Sequence, residues 1–171
     1  MALPDELPGR RPATDAEARA LASSLRLQIL RLTLDEALTN KEIADRVGRN
    51  PATVLHHVRT LVDTGFLRPE EVRRGVRGSR EVPYRATGKS WQLEVHGGGQ
   101  AVLAAFLAES GRVPPEAMET IRLGLRLSAE DQRELWTRMH TLLEEFRTRP
   151  VDNDAEPWSL FLALHPDVGR R

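Results

Sequence analysis

The chain has 171 residues, 40% of them hydrophobic and none of them cysteine, with 25 basic side chains balanced by 25 acidic ones. That composition supports one domain or two small ones with a true core, and it excludes disulfides and thiolate metal sites. No apolar run approaches the roughly 20 residues needed to cross a bilayer and no secretory leader opens the sequence, so a soluble, cytoplasmic protein without membrane contact is expected.

Residues 1–13 contain three prolines and two arginines without apolar periodicity and read as a flexible arm. Thr14-Asp-Ala-Glu17 then makes a capping box, and Ala18, Leu21, Ala22 and Leu25 begin a helical stripe that Ser23 and Ser24 interrupt. Leu25, Leu27, Ile29, Leu30, Leu32 and Leu34 follow as a strongly apolar helix suited to a central position. Thr39-Asn-Lys-Glu42 is a second capping box, opening a short helix through Ile43, Ala44 and Val47 that stops at Gly48.

Only Arg49 separates that stop from Asn50-Pro51, an N-cap followed by a proline whose φ is preset for the first helical turn. The helix so framed runs to Gly65. Val54, Leu55, Val58, Leu61 and Val62 form its apolar stripe, while Ala52, Thr53, His56, Arg59 and Thr60 lie on the other side. Two short helices joined by a Gly-containing turn make a helix-turn-helix, in which the second helix reads bases in the major groove. Thr53 and His56 carry donors and acceptors suited to base edges, and the whole polar face is the candidate DNA-binding surface.

A basic hairpin comes next. Glu70 to Arg74 extends, Gly75 to Ser79 supplies a loop, and Arg80 to Ala86 alternates with Val82, Tyr84 and Ala86 on one face. From Arg73 to Lys89 six positive residues (Arg73, Arg74, Arg77, Arg80, Arg85, Lys89) face one negative, Glu81, for a net charge of +5. Such a ribbon beside a helix-turn-helix is a wing, with Arg77 and Arg80 placed at its tip to meet phosphate or the minor groove.

Ala22-Ser-Ser-Leu-Arg-Leu-Gln-Ile-Leu30, Thr39-Asn-Lys-Glu-Ile-Ala-Asp-Arg-Val-Gly48, Pro51-Ala-Thr-Val-Leu-His-His-Val-Arg-Thr-Leu61 and Val82-Pro-Tyr-Arg-Ala-Thr87 together resemble the ArsR-type bacterial winged-helix regulators. The resemblance covers residues 14–90. It implies a dimer on a pseudo-palindromic site in double-stranded DNA, usually repressing transcription, with Thr53 and His56 at positions the family turns toward DNA. Leu55 departs from the serine that many members carry.

Family sensors often bind metal through cysteines and histidines; here the adjacent His56 and His57 diverge by about 100° on a helix and cannot readily share an ion. No metal and no cofactor are expected. Nucleophile elbow, phosphate loop and zinc-protease motifs are all lacking, so no enzyme is expected either. Asp152, Asp154 and Glu156 are spaced like the start of a calcium loop, but Pro157 stands where glycine is needed and Ala163 where glutamate is needed, so they read as a solvated turn.

The second half, residues 91–171, is expected to form a dimerising lobe. From Glu116 onward eight arginines face eleven carboxylates, a net of −3. His96-Gly-Gly-Gly99 breaks the chain before a helix over Gln100 to Ser110. Thr120 to Leu127 alternates as a strand, Ser128 caps a long helix with the stripe Leu135, Trp136, Met139, Leu142, Leu143 and Phe146, and Trp158 to Leu164 reads as a second strand. The fold class is therefore α+β, a winged helix-turn-helix followed by a small β-α-β lobe. Its aromatics, among them Trp91, Trp136 and Trp158, suit core or dimer interface better than a pocket, which leaves a small-molecule effector open. The function expected is a DNA-binding transcription regulator, and the alternative is a winged helix used only for protein contacts.

Overall fold

The computed structural model describes residues 10–75, 78–95, 99–152 and 154–170. The chain divides between Pro114 and Pro115 into two compact units. In the first, helices and short strands alternate: β1 (Arg11–Pro12), α1 (Asp15–Leu21), α2 (Ser24–Leu32), β2 (Leu38–Thr39), α3 (Asn40–Val47), α4 (Pro51–Asp63), β3 (Leu67–Pro69), β4 (Arg73–Arg74), β5 (Arg80–Glu81), β6 (Pro83–Ala86), β7 (Leu93–Glu94) and α5 (Gly99–Ser110). The helix expected to open the C-terminal lobe, α5, thus belongs to the first unit and packs on α2.

The boundaries follow from local chemistry. Thr14 and Thr39 each accept from the backbone three residues on while Glu17 and Glu42 reach back to the cap amide, so α1 and α3 open on complete capping boxes. Ser23 caps α2 and separates it from α1. Gly48 ends α3 in the left-handed conformation at φ 64°, a geometry costly for any residue with a Cβ.

The α+β class holds. Strands β2, β6 and β3 form one antiparallel sheet in the order β2-β6-β3, and β4 pairs with β5 as the far end of the same hairpin. Strand β6 begins only at Pro83, which has no amide to give a ladder; a first position is where a strand tolerates proline. The core gathers Ile29, Leu30, Leu38, Ile43, Ala44, Val54, Val58, Leu61, Phe66 and Leu67, with Tyr84 and Ala86 packed against it. Ile29, Ile43, Val54, Val58 and Leu61 have no exposed surface, and each such side chain contributes about 1.5–3 kcal/mol by leaving water.

Two expectations are corrected. Residues 1–9 lie outside those described, but from Arg11 the segment is not a loose arm: β1 pairs in parallel with β7, and the Ala13 amide donates to the Glu94 carbonyl at 3.0 Å. In the second unit α6 (Ala129–Arg147) forms on its Ser128 capping box, yet Thr120 to Leu127 and Trp158 to Leu164 form no strand. Alternation makes a strand only when a neighbour takes its amides and carbonyls, and no such partner stands beside either segment among the described residues. Several of their apolar side chains stay in solvent, Ile121 at 96% and Trp158 at 79% exposure, so the expected β-α-β unit is not closed.

Candidate nucleic-acid interface

The turn between α3 and α4 is fixed from both sides. The Asn50 side chain accepts from the Ala52 amide at 2.8 Å, and the Asn40 side-chain amide donates to the Pro51 carbonyl at 2.9 Å, tying the first turn of α3 to the first turn of α4. With Val54, Val58 and Leu61 buried beneath it, α4 has no freedom to roll about its axis. Ala52, Thr53, His56 and Arg59 are consequently exposed, and Thr60 is half-buried with its hydroxyl donating to the His56 carbonyl at 3.1 Å.

The neighbouring histidine is turned away. His57 is half-buried with Nδ1 3.4 Å from Arg26, which also donates to the Arg19 carbonyl at 2.6 Å and to the Ala20 carbonyl at the end of α1. Burial pushes the His57 imidazole below its ordinary pKa, and the Arg26 guanidinium beside it pushes it the same way. The His56 and His57 rings meet edge to face at 5.7 Å.

In the hairpin the basic residues divide into two sets that the sequence did not distinguish. Arg73 donates to both carboxylate oxygens of Glu42 on α3, at 2.5 and 2.6 Å; Arg85 donates to Glu70 at 2.6 Å and to the Asp35 carbonyl at 2.7 Å. Lys89 is 2.8 Å from Glu17. These three are structural. Arg74 and Arg80 are exposed, stand directly opposite each other across the β4–β5 pair, and make no ion pair among the described residues. Like charges facing each other across a ladder destabilise it unless an anion lies between them. Arg80 is the candidate expected from its place at the tip; Arg74, not among the expected candidates, shares its cross-strand register. Arg77 lies outside the described residues.

Among the described residues no group of three or more histidines and carboxylates is placed to hold a metal ion, and no helix is long and apolar enough to cross a membrane.

Comparison with known proteins places a helix-turn-helix domain family on residues 21–70, the stretch from the end of α1 to the hairpin. No curated protein matches the chain. Among solved structures, reduced HlyU from Vibrio cholerae is similar at 21% identity over 54% of this chain and 82% of its own, with a TM-score of 0.34. The zinc-responsive MarR family member ZitR from Lactococcus lactis is similar at 19% identity over 86% and 85%, with a TM-score of 0.31.

Proposed function

We propose that the chain is a sequence-specific DNA-binding transcription regulator, most simply a repressor, that acts as a homodimer. The observation that carries this reading is the disposition of α4: its apolar stripe is sealed in the core, its turn is bonded at both sides, and its outer face presents Thr53, His56 and Arg59 to solvent. A helix-turn-helix held this way lays its second helix in the major groove, where Thr53 meets a thymine methyl or a base acceptor and His56 donates to a guanine or a phosphate. Arg74 and Arg80, with Arg77, supply phosphate contacts from the hairpin, and Ala52 and Thr60 line the margins.

The dimer is proposed through α5. The α5 sequence carries no charge before Glu109, yet only Ala105 is buried, and Val102, Leu103 and Leu107 are 45, 44 and 59% exposed. A helix apolar all round is one that is covered all round. A second copy on this face doubles the DNA site that one short helix reads.

The test is a titration of upstream promoter fragments at several salt concentrations, with light scattering on the same preparation. Binding by a dimer with affinity falling steeply as salt rises is the expected result. Salt-independent binding, or none, moves the assignment to a winged helix that contacts proteins; a monomer at micromolar concentration that still binds a full site tightly removes the dimer.

A further inference from the structure

Glu17 is the one charged residue buried among those described, at 5% exposure. An ionised carboxylate in that setting is costly unless cations and amides surround it, and here they do. Arg11 donates to its two oxygens at 2.9 and 2.7 Å, the Thr14 amide donates at 2.8 Å, and the Lys89 ammonium lies 2.8 Å away. The Arg11 hydrogen bonds, then that of Lys89, hold the Glu17 carboxyl far below the usual carboxylate range.

The capping box of α1 needs only the amide contact, so the two cations require another account. Lys89 supplies it. Its ammonium also donates to the Thr64 carbonyl at 2.6 Å and stands 5.2 Å from the Phe66 ring centroid. Thr64 is the residue that closes α4, where carbonyls have no partner within the helix and a positive charge is favourable. Beside it the Thr87 hydroxyl donates to the Gly65 carbonyl at 2.8 Å and the Thr87 amide to that of Phe66 at 3.0 Å. At the other end of α4, Asn40 holds the Pro51 carbonyl. A helix bonded at both ends has a fixed tilt, whereas one that loses a bond at its far end gains freedom to tilt about the near one.

We propose that Glu17 is a positioning residue for α4: braced by Arg11, it fixes Lys89 on the Thr64 carbonyl and so sets the tilt at which Thr53 and His56 are presented. The functional half of this inference rests on reading α4 as the helix that reads DNA. Arg11 extends the brace, because its own strand is paired to β7, ahead of α5. The carboxylate thus sits on a continuous line of bonded groups from β7 to the end of α4.

The test uses the full chain with Glu17→Gln, Lys89→Met and the double variant, each studied at a temperature where its melting curve shows it fully folded. Lys89→Met keeps an apolar stem against Phe66 and removes only the ammonium, so it carries the test if Glu17→Gln does not fold. Two quantities are read: amide hydrogen exchange over Thr60 to Phe66, and the ratio of affinities for a selected promoter fragment and for random DNA. Each single variant is expected to speed exchange in that last turn and to lower the ratio about tenfold through the selected fragment alone, with the salt slope unchanged. The double variant is expected to be no worse than the poorer single one, since both break one line of contacts. Exchange unchanged in both single variants overturns the brace. Exchange raised with the ratio unchanged overturns its role in reading DNA. A wild-type chain that does not distinguish the two DNAs overturns the reading of α4 itself, and the exchange result still decides whether Glu17 and Lys89 anchor the helix.

Discussion

The two units are built from similar material and reach different ends. In the first, four helices of 7 to 13 residues (α1 to α4), each too short to persist alone in water, pack with the short strands around a cluster of fourteen buried apolar side chains among the described residues. In the second, the 19-residue α6 has a complete capping box and its own ion pairs, Glu134 with Arg138 at 2.5 Å and Glu145 with Arg149 at 2.7 Å, yet no described residue from Pro115 onward is buried. The difference shows what each kind of signal does. Caps and i,i+4 pairs are local and decide whether a helix forms, at a few tenths of a kcal/mol per pair and about 1 kcal/mol per cap. A core needs apolar faces from distant segments to meet, and Leu142 and Phe146 on α6 remain 54 and 55% exposed.

The largest effect that separates the units is a matched pair of leucine truncations. Leu61→Ala opens a cavity under α4 and is expected to cost about 2–5 kcal/mol, read as a lower melting temperature. Leu142→Ala is expected to stay within about 0.5 kcal/mol, as for an exposed site. A loss of similar size for Leu142→Ala in the purified protein would break the comparison, showing that α6 is buried in the assembled molecule.

Within the first unit, the same contrast exists between side chains that hold the fold and those that face outward. Thr53→Ala and His56→Ala should leave the melting temperature unchanged and cost roughly 1–3 kcal/mol against the preferred DNA site, with random DNA much less affected. Arg74→Ala with Arg80→Ala should weaken both DNAs alike and flatten the salt slope by up to about two units. Wild-type affinity in both α4 variants would take this helix out of the interface, and an unchanged slope would take the hairpin out of it.

Much of this was legible in the sequence, for reasons that differ by region. The helix-turn-helix was legible because its signals are short-range and redundant: Thr39 with Glu42, Gly48, and Asn50 with Pro51 each specify one boundary, and the stripe at Val54, Val58 and Leu61 specifies one face. The exposed set Ala52, Thr53, His56 and Arg59 follows from that face by geometry alone. The sorting of the arginines was not legible. Arg73 finds Glu42 across 31 positions and Arg85 finds the Asp35 carbonyl across 50, and nothing in a charge count separates them from Arg74 and Arg80. The C-terminal strands failed for the complementary reason: period-two alternation at Ile121, Leu123, Leu125 and Leu127 states which face would be buried, but not whether a partner strand arrives.

The smallest effect sharpens the comparison most, because it places one identical change on both sides of it. Thr39 and Ser128 each open a helix through a complete capping box, and replacing either with alanine removes the same kind of bond, at about 1 kcal/mol. What differs is where the loss is felt. Thr39 is buried, its hydroxyl donates to Glu42 at 2.9 Å, and Glu42 in turn holds Arg73, so the defect lies inside the cooperative core. Thr39→Ala should therefore lower the melting temperature of the first unit by about 4–8 °C, the shift that 1 kcal/mol produces in a unit of roughly 100 residues. Ser128→Ala frays a helix with no buried side chain, and should appear as reduced helical signal and faster amide exchange over Ala129 to Gln132, with the main transition unmoved. Equal shifts of one transition would mean that α6 unfolds together with the first unit, and the contrast between a core-built and a locally built half would fail.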